Sequence, residues 1–547
     1  MLLSPKPHLW FTLLSLVALW SCNGDTAATS ETASTAAEVI EKAGQYYQEA
    51  HRPQVHFTPE KAWMNDPNGL VFHNGLYHLY YQYNPDSTVW GPMHWGHATS
   101  TDLVQWAHHD IALFPSEQGT IFSGSIVVDK GNTTGFGTAE NPALIAIYTQ
   151  HSHSKEDDGD LDFQTQGISY STDGGFNWTR YAENPVLPNP GLKDFRDPKV
   201  IWHKESERWI MALAALDRVK FYTSPDLKTW EFTSDFGPGV GSQTGIWECP
   251  DLFPIRDDRS GELQYALIVS VQDGAPNGGT GTSYFIGQFD GKKFTPTVGH
   301  RKPLWLDYGT DNYAFVTFSD GPTSENRRLG IGWMSNWQYA QQVPTTTWRS
   351  AMTAARVLTL HTTEDGLRLK STLVPDYMKI RERKARFNRL SDVAPSDLFR
   401  TLGDWATDPL EISIATPGGV TPNFSIELAS SEGDTVSFGY DKEAALYFID
   451  RSKINSKGWS DTFSARHTAK RKTWTTAPFL NILLDRSSIE LMGDNGFTPM
   501  TDIYFLGGEL TSMKLYGEEG ISGTIYELGP KLTTPVSVSR IQRPRKL

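Results

Sequence analysis

The stretch STDLVQW at residues 100–106 is the clearest guide to the fold, because the chain repeats it. It returns as STDGGFNW (171–178), SPDLKTW (224–230) and, more faintly, FDGKKF (289–294). Each copy predicts a strand, a tight turn built on aspartate and a second strand that ends on an aromatic residue. Several strands repeated every roughly 50 to 70 residues are typical of propeller blades. With one more unit near 329–360, the sequence predicts a five-bladed β-propeller. Chance recurrence of common hairpin turns is the alternative.

The rest of the pattern is also β. Runs such as 75–83 and 144–148 lie between clusters of Gly, Asp, Asn and Pro and have the composition of strands. Short strands with regular turns continue beyond residue 390, for example at 423–428 and 480–485, and favour a β-sandwich. We therefore predict an all-β chain in which a five-bladed propeller is followed by a C-terminal β-sandwich.

Domain boundaries follow from these patterns. We assign residues 51–374 to the propeller and residues 390–547 to the sandwich. Between them, residues 375–389 are rich in Lys and Arg, and we interpret them as a solvated linker that contains a short helix. The formal net charge of the chain is −14. A surface of that sign repels phosphate backbones, so nucleic acid is not expected as a partner. The sequence leaves the oligomeric state unknown.

The N-terminus has the features of an export signal. Residues 9–19 form an apolar run too short to span a bilayer. A small residue just before Cys22 resembles the lipobox of bacterial lipoproteins. We therefore predict a lipoprotein signal peptide at 1–21, lipidation of Cys22, and a tether at 22–50 with a short helix near its end. The protein would be an exported bacterial lipoprotein, held at the periplasm or cell surface by its lipid anchor alone. An ordinary signal with a chance cysteine is the alternative.

Three acidic residues stand in unusual settings. Asp66 lies in WMNDPNG, Asp197 in FRDP and Glu248 in WECP. Glycosidic bond cleavage typically needs one carboxylate at the sugar carbon and one carboxylic acid at the leaving oxygen. An apolar wall disfavours the charged form of a carboxyl, as a general acid requires, and we expect Trp63 and Trp247 to form such walls. The alternatives are an ordinary Asp-Pro turn, a structural Arg-Asp turn and a glutamate on a solvated strand.

Other candidate sites fail on spacing. The acidic run at 158–162 lacks the Gly and the distal Glu of an EF-hand loop. His151 and His153 have no metal-site partners at fixed spacing. Cys249 has no matching His for a thiol nucleophile, so we interpret it as a small buried neighbour. The chain has two cysteines, and no intrachain disulfide is expected once Cys22 is lipidated. No metal site is predicted.

Together these motifs resemble glycoside hydrolase family 32, which contains invertases, inulinases and levanases. WMNDPNG, FRDP and ECP match the three acidic motifs of the family in order. With the other matching segments, the resemblance covers most of the mature chain. Further matching segments are YQYNP (81–85), FSGS (122–125), DYGTDNYA (307–314) and DRSSIE (485–490). The family resemblance implies a five-bladed propeller followed by a β-sandwich, with no metal or organic cofactor.

The resemblance also implies a role for each residue of the motifs. Asp66 would attack the anomeric carbon of a fructosyl unit with retention of configuration. Glu248 would protonate the departing oxygen and then activate water. Asp197 and Arg196 would hold ring hydroxyls. The other pocket residues that it implies are Asn65, Gln82, Trp90, Phe122, Ser123 and Trp337.

The substrate stays open at this point. Similarity to levanases and inulinases favours cleavage of terminal β-D-fructofuranosyl residues from levan or inulin, with sucrose as a further substrate. A fructosyltransferase that uses sucrose and a non-catalytic glycan-binding propeller are the alternatives. A non-catalytic propeller should have lost Asp66 or Glu248, and both are present.

Overall fold

The computed structural model describes residues 46–299, 302–322, 326–388, 394–415, 422–475 and 480–529. Seven sheets contain the strands, so the prediction of an all-β chain is confirmed. The helices in these ranges are short: two α-helices at His153–Asp157 and Leu398–Leu402, and three 3-10 helices at Pro375–Ile380, Gly403–Trp405 and Asp494–Gly496. The predicted signal peptide, Cys22 and nearly all of the tether lie outside the described residues.

Five sheets follow one another along the first part of the chain. The first contains β1 (Ala62–His73), β2 (Leu76–Asn84), β3 (His94–Ser100), β4 (Ala107–Leu113) and β20 (Trp348–Arg349). The second contains β5 (Thr120–Val128), β6 (Leu144–His151), β7 (Gln164–Ser171) and β8 (Thr179–Arg180). The third contains β9 (Phe195–His203), β10 (Arg208–Ala215), β11 (Arg218–Ser224) and β12 (Glu231–Phe236).

The fourth and fifth sheets complete this part. The fourth contains β13 (Trp247–Arg256), β14 (Leu263–Val271), β15 (Gly281–Phe289), β16 (Phe294–Val298) and β17 (Leu304–Trp305). The fifth contains β18 (Tyr313–Thr317), β19 (Arg328–Met334), β21 (Ala351–Met352), β22 (Arg356–Thr363) and β23 (Gly366–Leu373).

The first strands of the five sheets pack against one another in a closed ring. β1 contacts β5, β5 contacts β9, β9 contacts β13, β13 contacts β18, and β18 returns to β1. The late strand β20 adds to the first sheet by pairing in parallel with the start of β1, so residues far apart in the chain join the two ends of the ring. Ser123 bonds Asp66, and Asp197 bonds Cys249. These contacts align the early parts of neighbouring first strands, so the strands run in one direction around a common axis.

The repeated aspartates form the predicted turns. Asp102 Oδ1 accepts hydrogen bonds from the backbone N–H groups of Val104 and Gln105, at 2.9 and 2.8 Å. Asp226 does the same for the two backbone N–H groups of its own turn, and Asp173 and Asp290 form equivalent turns. Each turn joins the third and fourth strands of a sheet. The sequence repeat therefore marks the outer hairpin of four successive sheets.

The remaining strands form two sheets of six strands each. One is ordered β24-β35-β26-β31-β32-β33, and the other β25-β34-β27-β28-β29-β30. Their bounds are β24 Arg381–Asn388, β25 Ser396–Asp397, β26 Leu410–Ala415, β27 Phe424–Ser430, β28 Thr435–Asp441, β29 Leu446–Lys453, β30 Arg466–Lys470, β31 Leu480–Asp485, β32 Ser488–Gly493, β33 Thr498–Ile503, β34 Leu510–Gly517 and β35 Ser522–Leu528. Alternate residues of both sheets share one apolar core, as facing sheets require.

The segment 375–389 differs from the predicted linker. Its first part is a 3-10 helix, but residues 381–388 form β24, which pairs with β35 of the second half. The basic side chains serve that sheet: Arg381 forms two hydrogen bonds of 2.6 Å with Glu411, and Arg383 bonds Glu527. The charge pattern was wrongly interpreted as a solvated connector because the acidic partners lie far away in sequence.

A buried polar interface joins the two parts of the chain. Arg356 of β22 bonds Asp307 at 2.8 Å and Glu490 of β32 at 2.6 Å, and the side chains of Arg356 and Glu490 are fully buried. His56 lies between Asp485 and Glu490, at 2.8 and 3.0 Å. Buried charges are tolerated only when they are paired and hydrogen-bonded, so this interface fixes the two parts against each other.

The end of the predicted tether packs on the folded domain. Residues 46–50 are not helical, in contrast to the predicted short helix. Tyr47 is buried and its hydroxyl contacts His108 at 2.8 Å, while Glu49 pairs with Arg52. Within the described ranges, no helix has both the length and the apolar character needed to cross a membrane.

Candidate active site

A bulge interrupts the first strand of every one of the five sheets. At each bulge two residues face a single residue of the neighbouring strand, so the usual alternation of side chains is broken. The paired residues are 65–66, 122–123, 197–198, 249–250 and 314–315. The bulges occur near the N-terminal ends of the strands, at one end of the ring. Side chains from all five sheets are thereby turned toward the same mouth.

Local sequence explains why the bulges form there. Proline follows Asp66, Asp197 and Cys249 directly, and a residue without a backbone N–H fits where the hydrogen-bond ladder is interrupted. Asp197 and Cys249 have φ values of 64° and 45°. For residues with a side chain this left-handed conformation costs energy, of order 1–3 kcal/mol each, and such strain is concentrated at functional sites. The strained backbone lets the adjacent Arg196 and Asp197 reach one site, as the sequence predicted.

Asp66 lies at the centre of the mouth. Ser123 donates a hydrogen bond of 2.7 Å to its Oδ2, and the Cys249 thiol contacts the same oxygen at 3.5 Å. Its Oδ1 is buried and has no hydrogen-bond donor among the described residues. One carboxylate oxygen is therefore held in place while the other keeps its lone pairs for a ligand.

Asp197 is anchored from two sides. Its backbone N–H bonds Thr149 Oγ1 at 3.0 Å, and its Oδ2 accepts the backbone N–H of Cys249 at 3.0 Å. The Cys249 sulfur lies 3.7 Å from Asp197 Oδ2. Because the same sulfur also contacts Asp66, Cys249 is the buried residue that separates and positions two carboxylates, which agrees with its interpretation as a small buried neighbour.

Glu248 is held by a cation and a hydroxyl. Arg196 donates to its Oε1 from Nε at 3.2 Å and from Nη2 at 3.0 Å. The hydroxyl of Tyr313, on β18, donates to its Oε2. Asp194 fixes the other side of the guanidinium, at 2.6 Å. The Glu248 side chain retains 14% exposure, so it can still meet a ligand at the mouth.

The site has more buried negative charge than its one arginine can neutralise. Burial raises the pKa of Asp66, and the nearby charge of Glu248 raises it further against the hydrogen bond from Ser123. Burial also raises the pKa of Asp197, and Arg196 only partly offsets this effect. Burial alone would lower the pKa of Arg196, but the charges of Glu248, Asp197 and Asp194 raise it overall. Strongly perturbed carboxyls of this kind are concentrated at functional sites.

Aromatic residues surround the carboxylates. Trp63 packs on Trp333 and stacks on Trp337, with ring centroids 6.1 and 5.9 Å apart. On the other side Trp90 meets the edge of Phe122 at 5.9 Å. Trp90, Phe122 and Trp337 remain partly exposed, and flat rings of this kind cover apolar faces of sugars. The predicted pocket residues therefore lie around one mouth.

Asn65 and Gln82 are more deeply placed than the aromatic residues. Asn65 is buried, and its Oδ1 accepts the indole N–H of Trp63 at 2.8 Å. Gln82 lies opposite the first bulge, and its amide donates to Asn68 at 2.7 Å and to the carbonyl of Ile121 at 3.0 Å. Both residues hold the floor of the mouth together, whatever contact they also make with a ligand.

The two predicted apolar walls have different outcomes. Trp63 belongs to the aromatic cluster under the site, with Cys249 and Tyr313. Trp247 instead turns away and packs on Phe236 and Phe285 between two sheets. The prediction for Trp247 was wrong because neighbouring residues on a strand face opposite sides. Arg196 and Tyr313 occupy the surroundings of Glu248 instead.

Three site residues were missed by the sequence analysis. Tyr313 contacts Glu248, Asp194 orients Arg196, and Thr149 supports Asp197. Tyr313 was quoted within a matching segment but received no role. Its position could have suggested a role, because Tyr313 is the first residue of the first strand of its sheet. Phe195 and Trp247 hold the same position in their sheets, next to Arg196 and Glu248. Asp194 and Thr149 carry no comparable signal.

A second cavity lies at the opposite end of the ring. It has a volume of about 390 Å³ and is lined by the distal parts of β5, β9, β13 and β18, with Trp202 and Trp209 on one side. Among its described lining residues Asp320 is the sole carboxylate, and it is paired with Lys130 at 2.5 Å. The described lining of this cavity therefore offers no pair of carboxyls like the one at the mouth around Asp66.

Three carboxyls and an arginine in an aromatic mouth define a glycosidase-type site. The comparisons with known proteins identify the family. The model of the Glycosyl hydrolases family 32 N-terminal domain matches residues 56–371, and the model of the C-terminal region of that family matches residues 376–529. The chain therefore belongs to family 32 of the glycosyl hydrolases.

Individual relatives agree with this assignment. A levanase from Bacillus subtilis is 45% identical over 480 residues, which cover 87% of this chain and 69% of the relative. An extracellular exo-inulinase from Aspergillus niger is 36% identical over 503 residues, covering 87% and 93%. Among solved structures, an exo-inulinase from Aspergillus awamori has a TM-score of 0.78 at 33% identity and covers 88% of this chain and 99% of its own. A fructofuranosidase variant from Schwanniomyces occidentalis, complexed with fructosylnystose, has a TM-score of 0.78 at 34% identity and covers 88% of this chain and 98% of its own.

Proposed function

We propose that this protein is a retaining glycosidase that removes terminal β-D-fructofuranosyl residues from fructans, levan or inulin, with sucrose as a further substrate. A β-fructosidase activity agrees with relatives that are named levanase, exo-inulinase and invertase. The observation that carries the mechanism is the state of Asp66. One of its oxygens is fixed by Ser123 while the other is buried without a protein donor.

In the first step Asp66 Oδ1 attacks C2 of the bound fructosyl unit. The bond between C2 and the leaving oxygen breaks, and its electron pair goes to that oxygen, which takes a proton from Glu248. A covalent fructosyl ester with Asp66 remains. Retaining enzymes of this kind place the two carboxyl groups about 5–5.5 Å apart. Cys249, which directly follows Glu248 and touches Asp66, brings the two groups to one site.

In the second step Glu248 removes a proton from water. The hydroxyl attacks C2 from the vacated side, the ester bond breaks, and its electrons return to Asp66. Arg196 and Tyr313 hold the two oxygens of Glu248 in place through both steps. Asp197 and Arg196 bond the ring hydroxyls, and these bonds strengthen as positive charge develops on the ring.

We infer that the five sheets of the first part are the blades of a five-bladed propeller and that the two six-stranded sheets form a β-sandwich. The closed ring of first strands supports the propeller, and the shared core of the two last sheets supports the sandwich. On this basis we assign the propeller to residues 51–374. The sandwich then begins at β24 rather than after a separate linker.

The substrate proposal rests on the relatives. The levanase from Bacillus subtilis supports levan, and the exo-inulinases support cleavage from chain ends. The test is to incubate the protein separately with levan, inulin and sucrose and to identify the products. Free fructose released singly from polymer is expected. Oligosaccharides as the main products at high sucrose concentration would replace hydrolysis by fructosyl transfer, and no product from any of the three would refute the proposal.

Retention can be tested in the same assay. When methanol competes with water, a retaining enzyme transfers fructose from Asp66 to methanol and yields the β-methyl fructofuranoside. The α-product would show that inversion occurs and would remove Asp66 from its role as nucleophile.

We also propose that the protein is exported and anchored through a lipid on Cys22. The support is the sequence alone, an apolar run followed by a small residue and cysteine. Metabolic labelling with a radioactive fatty acid should label the wild-type chain and leave Cys22→Ser unlabelled. Equal labelling of both proteins would contradict the anchor.

A further inference from the structure

Two histidines and a glutamate converge beside the aromatic wall of the mouth. His151 is the last residue of β6, and His153 and Glu156 belong to the short helix His153–Asp157 that follows it. His151 stacks on Phe122 with ring centroids 4.2 Å apart, and His153 meets the edge of Trp90 at 6.0 Å. The sequence analysis found no metal-site partner for the histidines. The helix provides one, because residues three apart lie on the same face.

The distances within this cluster are those of a coordination sphere. His151 Nε2 lies 3.0 Å from Glu156 Oε2 and 3.1 Å from His153 Nδ1. All three atoms lie within 4.8 Å of one another. Ligand atoms at about 2.0–2.1 Å from a tetrahedral Zn²⁺ stand roughly 3.3 Å apart. A small shift of His153 and Glu156, which are less buried than His151, would therefore place the three atoms around one ion.

The contacts of Gln164 fix the tautomer of His151. The amide of Gln164 donates to His151 Nδ1 at 3.3 Å, and the Gln164 Oε1 is already used by the backbone N–H of Phe195. The proton of neutral His151 is therefore on Nε2. That single proton faces both Glu156 Oε2 and His153 Nδ1. A cation bonds all three atoms at once.

We propose that His151, His153 and Glu156 bind one Zn²⁺ ion, or a similar borderline transition-metal ion, at the rim of the mouth. Two imidazoles and a carboxylate are a common set of three protein ligands for zinc, with water in the fourth position. Binding through His151 Nε2 moves the imidazole proton to Nδ1, so the Gln164 amide, whose nitrogen faces that atom, must turn its oxygen toward the proton. The ion fixes His153 and His151 against Trp90 and Phe122, which form one wall of the substrate mouth.

The test is a calorimetric titration of the full chain with Zn²⁺ alone, on protein without a histidine tag and stripped with EDTA. One equivalent should bind. Glu156→Gln and His153→Gln should each weaken that binding at least about 10-fold. Because Glu156 is 45% exposed, its isosteric variant should fold as wild type in EDTA. His361→Gln is the matched control, since His361 faces one carboxylate, Asp258, at 3.5 Å.

A gain of affinity tests the geometry independently. Gln164→Glu keeps an acceptor for the Phe195 N–H and offers another to the His151 Nδ1 proton, which completes a carboxylate–histidine–zinc arrangement. Affinity should rise about 10-fold in this variant. Binding of Co²⁺ should give the visible absorption of a four-coordinate site in wild type and lose it in Glu156→Gln. Absence of a one-equivalent site, or equal Zn²⁺ affinity in wild type and Glu156→Gln, would overturn the proposal.

Discussion

Among the described residues, two of the regions that bury carboxylates treat them in opposite ways. At the interface between the two parts, burial alone would raise the pKa of Glu490, but the charge of Arg356 and the hydrogen bond from His56 lower it to about 2. At the mouth, burial raises the pKa of Asp66, and the neighbouring Glu248 adds to that shift. Both carboxyls are deeply buried, yet Glu490 is stabilised as an anion and Asp66 is not.

The difference lies in the ratio of cations to anions. The interface group of Asp307, Asp485 and Glu490 has Arg356 and a protonated His56 as partners, which is two cations for three carboxyls. The mouth has three carboxyls and Asp194 around Arg196 alone. A neutralised cluster stabilises the fold, whereas an under-neutralised cluster stores energy that a substrate with developing positive charge can release. Burial of charge by itself therefore does not identify a functional site.

The largest expected effect comes from removing a carboxyl of the mouth. Asp66→Ala and Glu248→Gln should each reduce turnover of fructan about 10³-fold or more, because each removes a group that forms or breaks bonds. Release of fructose gives the rates, and thermal unfolding shows whether the fold persists. Asp258→Asn is the control, since that carboxyl is 70% exposed. Turnover like wild type in either site variant would reject the assigned roles.

The next largest effect is expected at the interface. Arg356→Met leaves Asp307 and Glu490 buried without their cation and should reduce the free energy of unfolding by about 3–5 kcal/mol, measured with denaturant. Lys442→Met should change it by less than about 1 kcal/mol, because the Lys442–Glu518 pair is exposed. The rate per folded molecule should stay normal in both variants. Comparable losses of stability in both would show that the interface is not special.

A smaller effect concerns pH. Burial alone would lower the pKa of His56, but hydrogen bonds to Asp485 and Glu490 raise it to about 9 from 6.5. A raised histidine pKa stabilises the fold fully below pH 6.5, and this contribution is lost as pH rises through about 9. The loss should amount to about 3 kcal/mol. The difference in unfolding free energy between wild type and His56→Gln should shrink over this window, and a constant difference would contradict a protonated His56.

The smallest expected effect is a gain in stability, in contrast to the losses predicted at the interface. Asp66→Asn removes a buried carboxyl whose raised pKa opposes folding, so the inactive variant should unfold at a higher temperature than wild type near neutral pH. A raised carboxyl pKa costs stability above the unfolded value of about 4 and costs none below it. The gain should therefore vanish in acid. A variant less stable than wild type at pH 7 would show that Asp66 contributes to folding as well as to the proposed chemistry.

The sequence predicted the centre of the mouth better than its supports. Asp66, Asp197 and Glu248 stand in short motifs with proline, and the aspartate turns mark the sheets, so local patterns suffice for both. The bulges could not be predicted from local patterns. Strand periodicity places Arg196 and Asp197 on opposite faces, and only the left-handed backbone at Asp197 brings both side chains to the same site. Tyr313 and Asp194 become site residues only once separate sheets are brought together.

No local pattern in the sequence showed that the polar residues of the interface are buried. Arg356 and Glu490 are polar residues on strands, and alternation alone would assign both of them to the solvent side. His56 and Asp307 lie outside the strands. Their burial depends on a second sheet that lies more than a hundred residues away in the chain. The basic segment 381–388 was wrongly interpreted for the same reason, since its partners Glu411 and Glu527 belong to later strands.

The pairing of β1 with β20 has a consequence for biosynthesis. As the ribosome releases the nascent chain, Ala62 and Trp63 must wait for Trp348 and Arg349 before the first sheet is complete, and Arg356 must wait for Glu490 before its charge is neutralised. Early segments therefore cannot settle into their final form as they emerge. Chains that end before these C-terminal segments should be inactive. A chain that folds this late also remains unfolded for longer, as export machinery that threads unfolded polypeptide requires.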